Sequence, residues 1–240
     1  MQHKTRGIVL KTTRYSESSV VAQLFTEKFG LQSYIVHGAR KPKAKIGTIL
    51  LQPMYLLDLV VYHRENSSLQ RISYARQVPP LLSIPHDPVK RSVVLFLNEV
   101  LYKSLRQQTA DTPLFNFVFH AISWWDALEK PAANFHLFFL IKLSRYLGFG
   151  PLVPKQDAPF FDLNEGIFRE SLPAHPSVLQ HPHAAHLARL LTCSFEEMTA
   201  MHIPRADRRF LLSKVIDFYR LHLDHLGDLH SLSVLEEVFR

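Results

Sequence analysis

Arg40, Lys41, Lys43 and Lys45 stand within six residues of the stretch "VHGARKPKAKIG", with Pro42 among them and no acid nearby. Four like charges held so close repel one another, so the stretch is expected to face a negative partner. Lys4, Arg6, Lys11 and Arg14 precede it and Arg64, Arg71 and Arg76 follow, with Tyr15, Phe25, Phe29, Tyr34, Tyr55, Tyr62 and Tyr74 interleaved. Cations hold phosphates and flat rings receive bases, so the combination is that of a nucleic-acid surface, although most of the rings are expected to be core.

Other chemistries have less behind them. His175, His181, His183 and His186 fall within twelve residues, and His222, His225 and His230 come later. A zinc site needs three or four converging ligands, often at HExxH-type spacing. Here Pro182 interrupts the cluster and no carboxylate accompanies it at ligand spacing, so neither metal nor cofactor is expected. A histidine-metal hydrolase is the weakest reading. Asp157 and Asp162 are read as solvated loop carboxylates rather than an acid and base pair. No phosphate-binding glycine loop and no GxSxG elbow is present, and nothing argues for catalysis. The single cysteine, Cys193, rules out an internal disulfide or a multi-cysteine zinc site, fits a reducing compartment and is expected to be buried. "RADRRFLLSK" sets Arg205, Arg208, Arg209 and Lys214 at helical spacings, either as a solvated face paired with Asp207 and Asp217 or as a receptor for an acidic peptide tail.

These residues need elements to position them. The chain has 240 residues, 47% of them hydrophobic and 20% charged, enough to fold throughout as one large or two modest domains. Its net charge of +7 is unevenly placed: residues 1–80 hold 12 Lys and Arg against 4 Asp and Glu, leaving the remainder one short of neutral. A basic domain joined to a nearly neutral one follows. The amino terminus lacks a signal-peptide pattern and no apolar run approaches a membrane span, which reads as a soluble cytoplasmic protein.

"RGIVLKTTRY", "SVVAQLFTE", "GLQSYIVHG", "MYLLDLVVYHR" and "SLQRISYARQV" are short, β-branched or aromatic, and separated by turn formers, as in a small closed barrel. Strict alternation in the last would put Arg71 and Ser73 on one face and Ile72, Tyr74 and Arg76 on the other. Prolines 79, 80, 85 and 88 then break the pattern, and Val93, Phe96, Leu97, Val100, Leu101 and Leu105 recur at helical spacing. A second helix is expected from "DTPLF", capped by Asp111 or Thr112, and a third, apolar nearly all round from Phe135 to Leu147, stopped by Gly148 and Gly150. Residues 151–176 read as irregular, with a turn at 164–166, before helices resume. The fold class is therefore α+β, a barrel over 1–80 followed by an all-helical domain over 81–240 with a short irregular insert.

At this point the chain resembles a known family, the bacterial recombination mediators called RecO. The resemblance lies in "TRGIVLKTTRYSESSVVAQLFTEKFGLQSYIVHGARK", "LQPMYLLDLVVY", "FHLFFLIKLSRYLGFGPL" and "RRFLLSKVIDFYRLHLDHLGDLHSLSVLEEVF", which together span essentially the whole sequence. It implies an N-terminal OB-fold and a helical domain in a non-enzymatic protein that binds single- and double-stranded DNA. Such a protein anneals complementary strands, cooperates with RecR, and helps RecA displace single-strand-binding protein. The loop carrying Arg40, Lys41, Lys43 and Lys45 would then face DNA, alongside Lys4, Arg6, Lys11, Arg14, Arg71 and Arg76. The acidic tail of single-strand-binding protein would dock on the helical domain at Lys142 and Arg145, with Arg208 and Arg209 as further candidates. A nucleoid-associated place in the cytoplasm goes with that role. An RNA-associated OB-fold module is the alternative. One departure stands out: many members hold the insert with a four-cysteine zinc site, whereas residues 151–176 contain no cysteine. Packing of Pro159, Phe160, Phe161, Ile167 and Phe168 is expected to hold it instead.

Overall fold

The computed structural model describes residues 1–65, 67–105, 109–154 and 158–238, so Asp157 lies outside the described residues. Five strands, β1 (Gln2–Arg14), β2 (Val20–Thr26), β3 (Gly30–Val36), β4 (Leu56–Tyr62) and β5 (Gln70–Gln77), close into a barrel in the order β1-β2-β3-β5-β4. All pairings are antiparallel except β3 with β5, giving an OB-like barrel. Its interior is filled by Val9, Ala22, Leu24, Tyr34, Leu57, Leu59 and Val61, with Ala39, Ile46 and Leu51 entering from the segment between β3 and β4. Burial pushes the Tyr34 phenol up to about 12, so this ring stays neutral and inside.

The "GIVL" run explains itself once β1 is seen. A Cβ on Gly7 would come within 2.5 Å of a terminal methyl of Leu59, which would have to shift inside the packed barrel core. A bulge between Val9 and Lys11 then leaves Leu10 unpaired, with its carbonyl accepting from Asn98 Nδ2 at 2.9 Å. Val9 belongs to the barrel core; Ile8 and Leu10, equally dry, lie outside that cluster, and a helix packs on this strand.

That helix is α1 (Pro88–Ser104), followed by α2 (Thr112–Ala127). Asp87 caps α1 through the amides of Val89 and Lys90, and Asp111 caps α2 through that of Leu114, each with proline in the first turn. Texture changes near residue 80, but compactness divides the chain elsewhere: Met1–Glu129 with the C-terminal helix α7 (Ser231–Val238) form one unit and Lys130–His230 the other. Helix α7 returns to α1, where Glu99 accepts from the Ser231 amide at 2.8 Å. The proline-rich connection is held by Asp126, whose carboxylate accepts from the amides of Leu82, Ser83 and Ile84 at 2.7–2.9 Å. Lys90, almost fully buried, donates to Ser83 Oγ at 2.6 Å and to the carbonyls of Asp126 and Leu128 at the end of α2. Burial lowers its pKa, and these acceptors with the nearby Asp126 and Asp87 charges keep an ammonium there tolerable.

In the second unit α3 (Phe135–Tyr146) is buried on nearly every side and ends where Gly148 adopts φ +90°. Around it stand α4 (His183–Thr192), α5 (Phe195–Ala200) and α6 (Arg205–His222), with Tyr219 donating to the Leu140 carbonyl at 2.7 Å. His136 sits inside α3, where burial and the Arg208 charge push it down to about 3, so it is neutral.

The insert is more ordered than its sequence indicates. Strands β6 (Phe160–Asp162), β7 (Ile167–Arg169) and β8 (Val178–Leu179) form a small sheet in the order β7-β6-β8. Asp162 organises it and is not a solvated loop carboxylate. Nearly inaccessible, it accepts from the amides of Asn164 and Glu165, from Arg169 Nε at 3.0 Å, and faces His175 Nε2 at 3.3 Å. Packing contributes as expected through Phe161, which meets Phe168 and Phe218, whereas Pro159 is exposed. Burial alone would raise the Asp162 pKa; its hydrogen bonds outweigh that and hold it below the usual carboxylate range.

Two outcomes follow. Asp126→Ala strands three amides and is expected to destabilise the first unit by about 2–3 kcal/mol in urea unfolding. For Asp162 the depressed folded-state pKa means its contribution is complete above the unfolded value of about 3.9 and is lost as pH falls through the lower folded one. Protection of the amides across residues 160–179 from hydrogen exchange, corrected for the intrinsic pH dependence, is therefore expected to fall below pH ~4, and in Asp162→Asn to be low already at neutral pH and little changed by that acidification.

Candidate nucleic-acid interface

The basic loop is built by two anchors. Ala39 and Ile46 turn into the barrel, and between them Lys41, Lys43 and Lys45 are exposed. Successive turns, Lys41 N to Gly38 O and Ala44 N to Lys41 O, keep the segment compact. Arg40 has a different duty: its amide donates to Ser18 O and its Nη1 to Glu17 O at 2.7 Å, tying the loop to the β1–β2 turn. The "YSESS" and "HGARK" segments are thus one contact, completed by Ser19 Oγ and His37 Nδ1 at 3.4 Å.

From this loop a strip continues by strand register. Ile35 at the end of β3 pairs with Arg71, Arg71 with Tyr62, and Tyr62 with Gln2, whose amide donates to the Tyr62 hydroxyl at 2.7 Å. The next row is Tyr74, Val60 and Lys4, and the next Arg76, Asp58 and Arg6. A bulge between Val60 and Val61 makes this possible. Ser73 is the extra residue, and it resets the alternation so that Arg71, Tyr74 and Arg76 are all exposed while Gln70 and Ala75 point inward. Strict alternation put Arg71 and Tyr74 on opposite faces; the bulge corrects that. Tyr62 and Tyr74 are 44% and 50% exposed, and among the described residues no carboxylate pairs with Lys4, Arg71, Lys41, Lys43 or Lys45.

Not every expected residue joins the strip. Arg6 is bidentate to Glu27 at 2.7 and 3.0 Å, reaches Asn116 Oδ1 at 2.7 Å and lies over the Phe119 ring, so it fastens α2 to the barrel. The hydrogen-bonded pair raises the Arg6 pKa and lowers that of Glu27. Lys11 lies over the Tyr102 ring of α1 at 5.2 Å, and Arg14 is exposed beside the β1–β2 turn. Of the seven rings, Phe25 packs on Phe115, Phe29 stacks on His63, Tyr34 is buried and Tyr55 half-buried, leaving Tyr15, Tyr62 and Tyr74 exposed. OB barrels often bind oligonucleotides across strands 2 and 3. Here the half-buried positions of those strands are Val21, Gln23, Leu31 and Ser33, without charge or ring, and Gln23 accepts from Tyr102.

In the helical unit Lys142 donates to the Leu191 carbonyl at 2.9 Å beside the Phe138 ring, and burial lowers its pKa; it braces α3 against α4. Arg208, half-buried, donates to the Ile203 carbonyl at 3.1 Å. Arg145 and Arg209 are exposed. Lys214 pairs with Asp217 and lines a narrow apolar cleft with Ile141, Leu187 and Phe218 that has room for about one water molecule. The histidines disperse: His175 goes to Asp162, while His183 and His186 flank Asp207 at 3.2 and 3.8 Å. Those carboxylates are distant in sequence and were not visible at ligand spacing. Among the described residues no group of three or more His, Cys, Asp or Glu side chains is placed to hold a metal ion, and no helix is long and apolar enough to cross a membrane.

Comparison with known proteins agrees with this architecture. Residues 1–80 match the family model "Recombination protein O N terminal" and residues 85–232 "Recombination protein O C terminal". The DNA repair protein RecO of Bacteroides fragilis is 37% identical over 241 residues, that of Phocaeicola vulgatus 35% over 240 and that of Flavobacterium johnsoniae 34% over 244, each alignment covering all of both chains. With barrel, helical region and both family models in agreement, the chain belongs to the RecO family of DNA repair and recombination proteins.

Proposed function

We propose that the barrel binds single- and double-stranded DNA through the loop over residues 37–47 and the strip that continues it. The chain then acts as a recombination mediator without catalysing a covalent step. Support comes from one observation above the others: Arg71 and Lys4, exposed and without a carboxylate partner among the described residues, and two exposed tyrosines lie on consecutive cross-strand rows that lead directly from the loop. Annealing fits such a surface, because cations that screen two phosphate backbones at once reduce their repulsion and leave base pairing to complete the duplex. Cooperation with RecR and loading of RecA onto DNA coated with single-strand-binding protein belong to the same proposal, as does a nucleoid-associated place in the cytoplasm.

The acidic tail of single-strand-binding protein is assigned to the helical unit. Arg145 and Arg209, the exposed members of the four basic positions, suit its carboxylates better than Lys142 and Arg208, which brace carbonyls. The Lys214 cleft needs side-chain movement before it can admit an aromatic ring.

Because Arg40 holds the loop in place, the sharpest variant leaves it intact and changes Lys41, Lys43 and Lys45 to Gln. Single-stranded DNA binding, followed by anisotropy against salt, is expected to weaken, and the log–log slope to become shallower by about 2, near 0.7 per lost phosphate contact. A folded variant with the wild-type slope would remove the loop from the DNA surface.

A further inference from the structure

Beside Tyr74 the strip deepens into an open depression of about 390 Å³, lined by Lys4, Lys28, Asp58, Val60 and Tyr74 and by the Arg6–Glu27 pair. We infer that this depression is a pocket for one unstacked base of single-stranded DNA, selective for bases that carry an exocyclic amine. The inference rests on the DNA reading above and assigns it a ligand subsite.

Its dimensions fit. The volume lies in the lower part of the range for small-molecule pockets, roughly 300–1,000 Å³, enough for a base with part of its sugar. Lys4, Val60 and Tyr74 are one cross-strand row, so Lys4 and Tyr74 stand two strand spacings apart, about 10 Å. A base lying on the half-exposed Tyr74 ring extends over the flat Val60 surface and leaves its phosphates to Lys4 and Lys28. No ion pair engages either lysine among the described residues.

The acceptor pattern supplies the selectivity. Both oxygens of Glu27 are taken by Arg6 at 3.0 and 2.7 Å. Among the described residues the one ion pair of Asp58 is with Arg76, at 3.5 Å and with both side chains exposed, which leaves it able to accept from an amine such as cytosine N4. Thymine has no exocyclic amine. A paired, stacked base cannot enter, so this pocket tells a single strand from a duplex, which the phosphate-binding charges do not.

Anisotropy with the full chain on charge-matched 20-mers provides the test: oligo(dC), oligo(dT), and oligo(dC) with interspersed abasic sites. Wild type is expected to bind oligo(dC) about fivefold more tightly than oligo(dT) and to lose about tenfold on the abasic strand. Tyr74→Ala is expected to lose about tenfold on oligo(dC) and become indifferent to abasic sites, with an unchanged salt slope; Tyr74→Phe keeps the wild-type pattern. Asp58→Ala is expected to erase the dC over dT preference. If wild type binds all three strands alike with steep salt dependence, the pocket is overturned while charge-driven DNA binding stands. If it binds none of them, both fall.

Discussion

Between Gly7 and Leu10, strand β1 is dry on both faces. Val9 faces the barrel, Ile8 and Leu10 lie outside the barrel's core, and α1 packs on the strand, so one stretch of chain serves two packed layers. Gly7 permits the close approach to Leu59, and the bulge at Leu10 turns the strand so that both layers are filled. Much follows from this. Helices α1 and α2 belong to the barrel's unit, Gln23 is engaged by Tyr102, and the surface left open to a long anionic ligand shifts toward β4, β5 and the start of β1. The location of the basic strip is therefore a consequence of how the barrel is buttressed.

The charged residues sort by what they touch. Arg6, Lys90, Lys142 and Arg208 end on carboxylates or carbonyls, and burial penalises the charge of the last three. Removing such a group leaves its partner stranded, so its effect falls on stability. Lys4, Lys41, Lys43, Lys45 and Arg71 are exposed and have no carboxylate partner among the described residues. They contribute little to the fold and much to the potential outside it. Asp162 shows the same division within the insert: one buried carboxylate, with two turn amides, Arg169 and His175, gathers the segment.

Long periodic elements and capping chemistry were legible in the sequence: the five strands, the cap at Asp111 by its residue type, and the apolar α3 with its glycine stop. What escaped depends on partners remote in the chain. Ser73 carries no sign that it is an extra residue, since a bulge is set by pairing with Val60 and Val61, yet it decides that Arg71 and Tyr74 share a face. Arg6 reads as one more surface cation until Glu27 and Asn116 are beside it. Strands of two or three residues in the insert are too short to show a period, and the histidine clusters gave no hint of Asp162 or Asp207. The division of the chain at residue 130 was hidden because α1 and α2 have the same helical texture as the elements after them.

The central claim is that DNA lies along the strip from the 37–47 loop across β5, β4 and β1. Photocrosslinking a bromouracil-substituted single strand to the full chain, with adducts located by mass spectrometry, addresses it directly. The account predicts adducts on Tyr62 and Tyr74 and on peptides containing Lys41 to Lys45. Adducts confined to β2 and β3 or to the helical unit, with the strip unmarked, would contradict it.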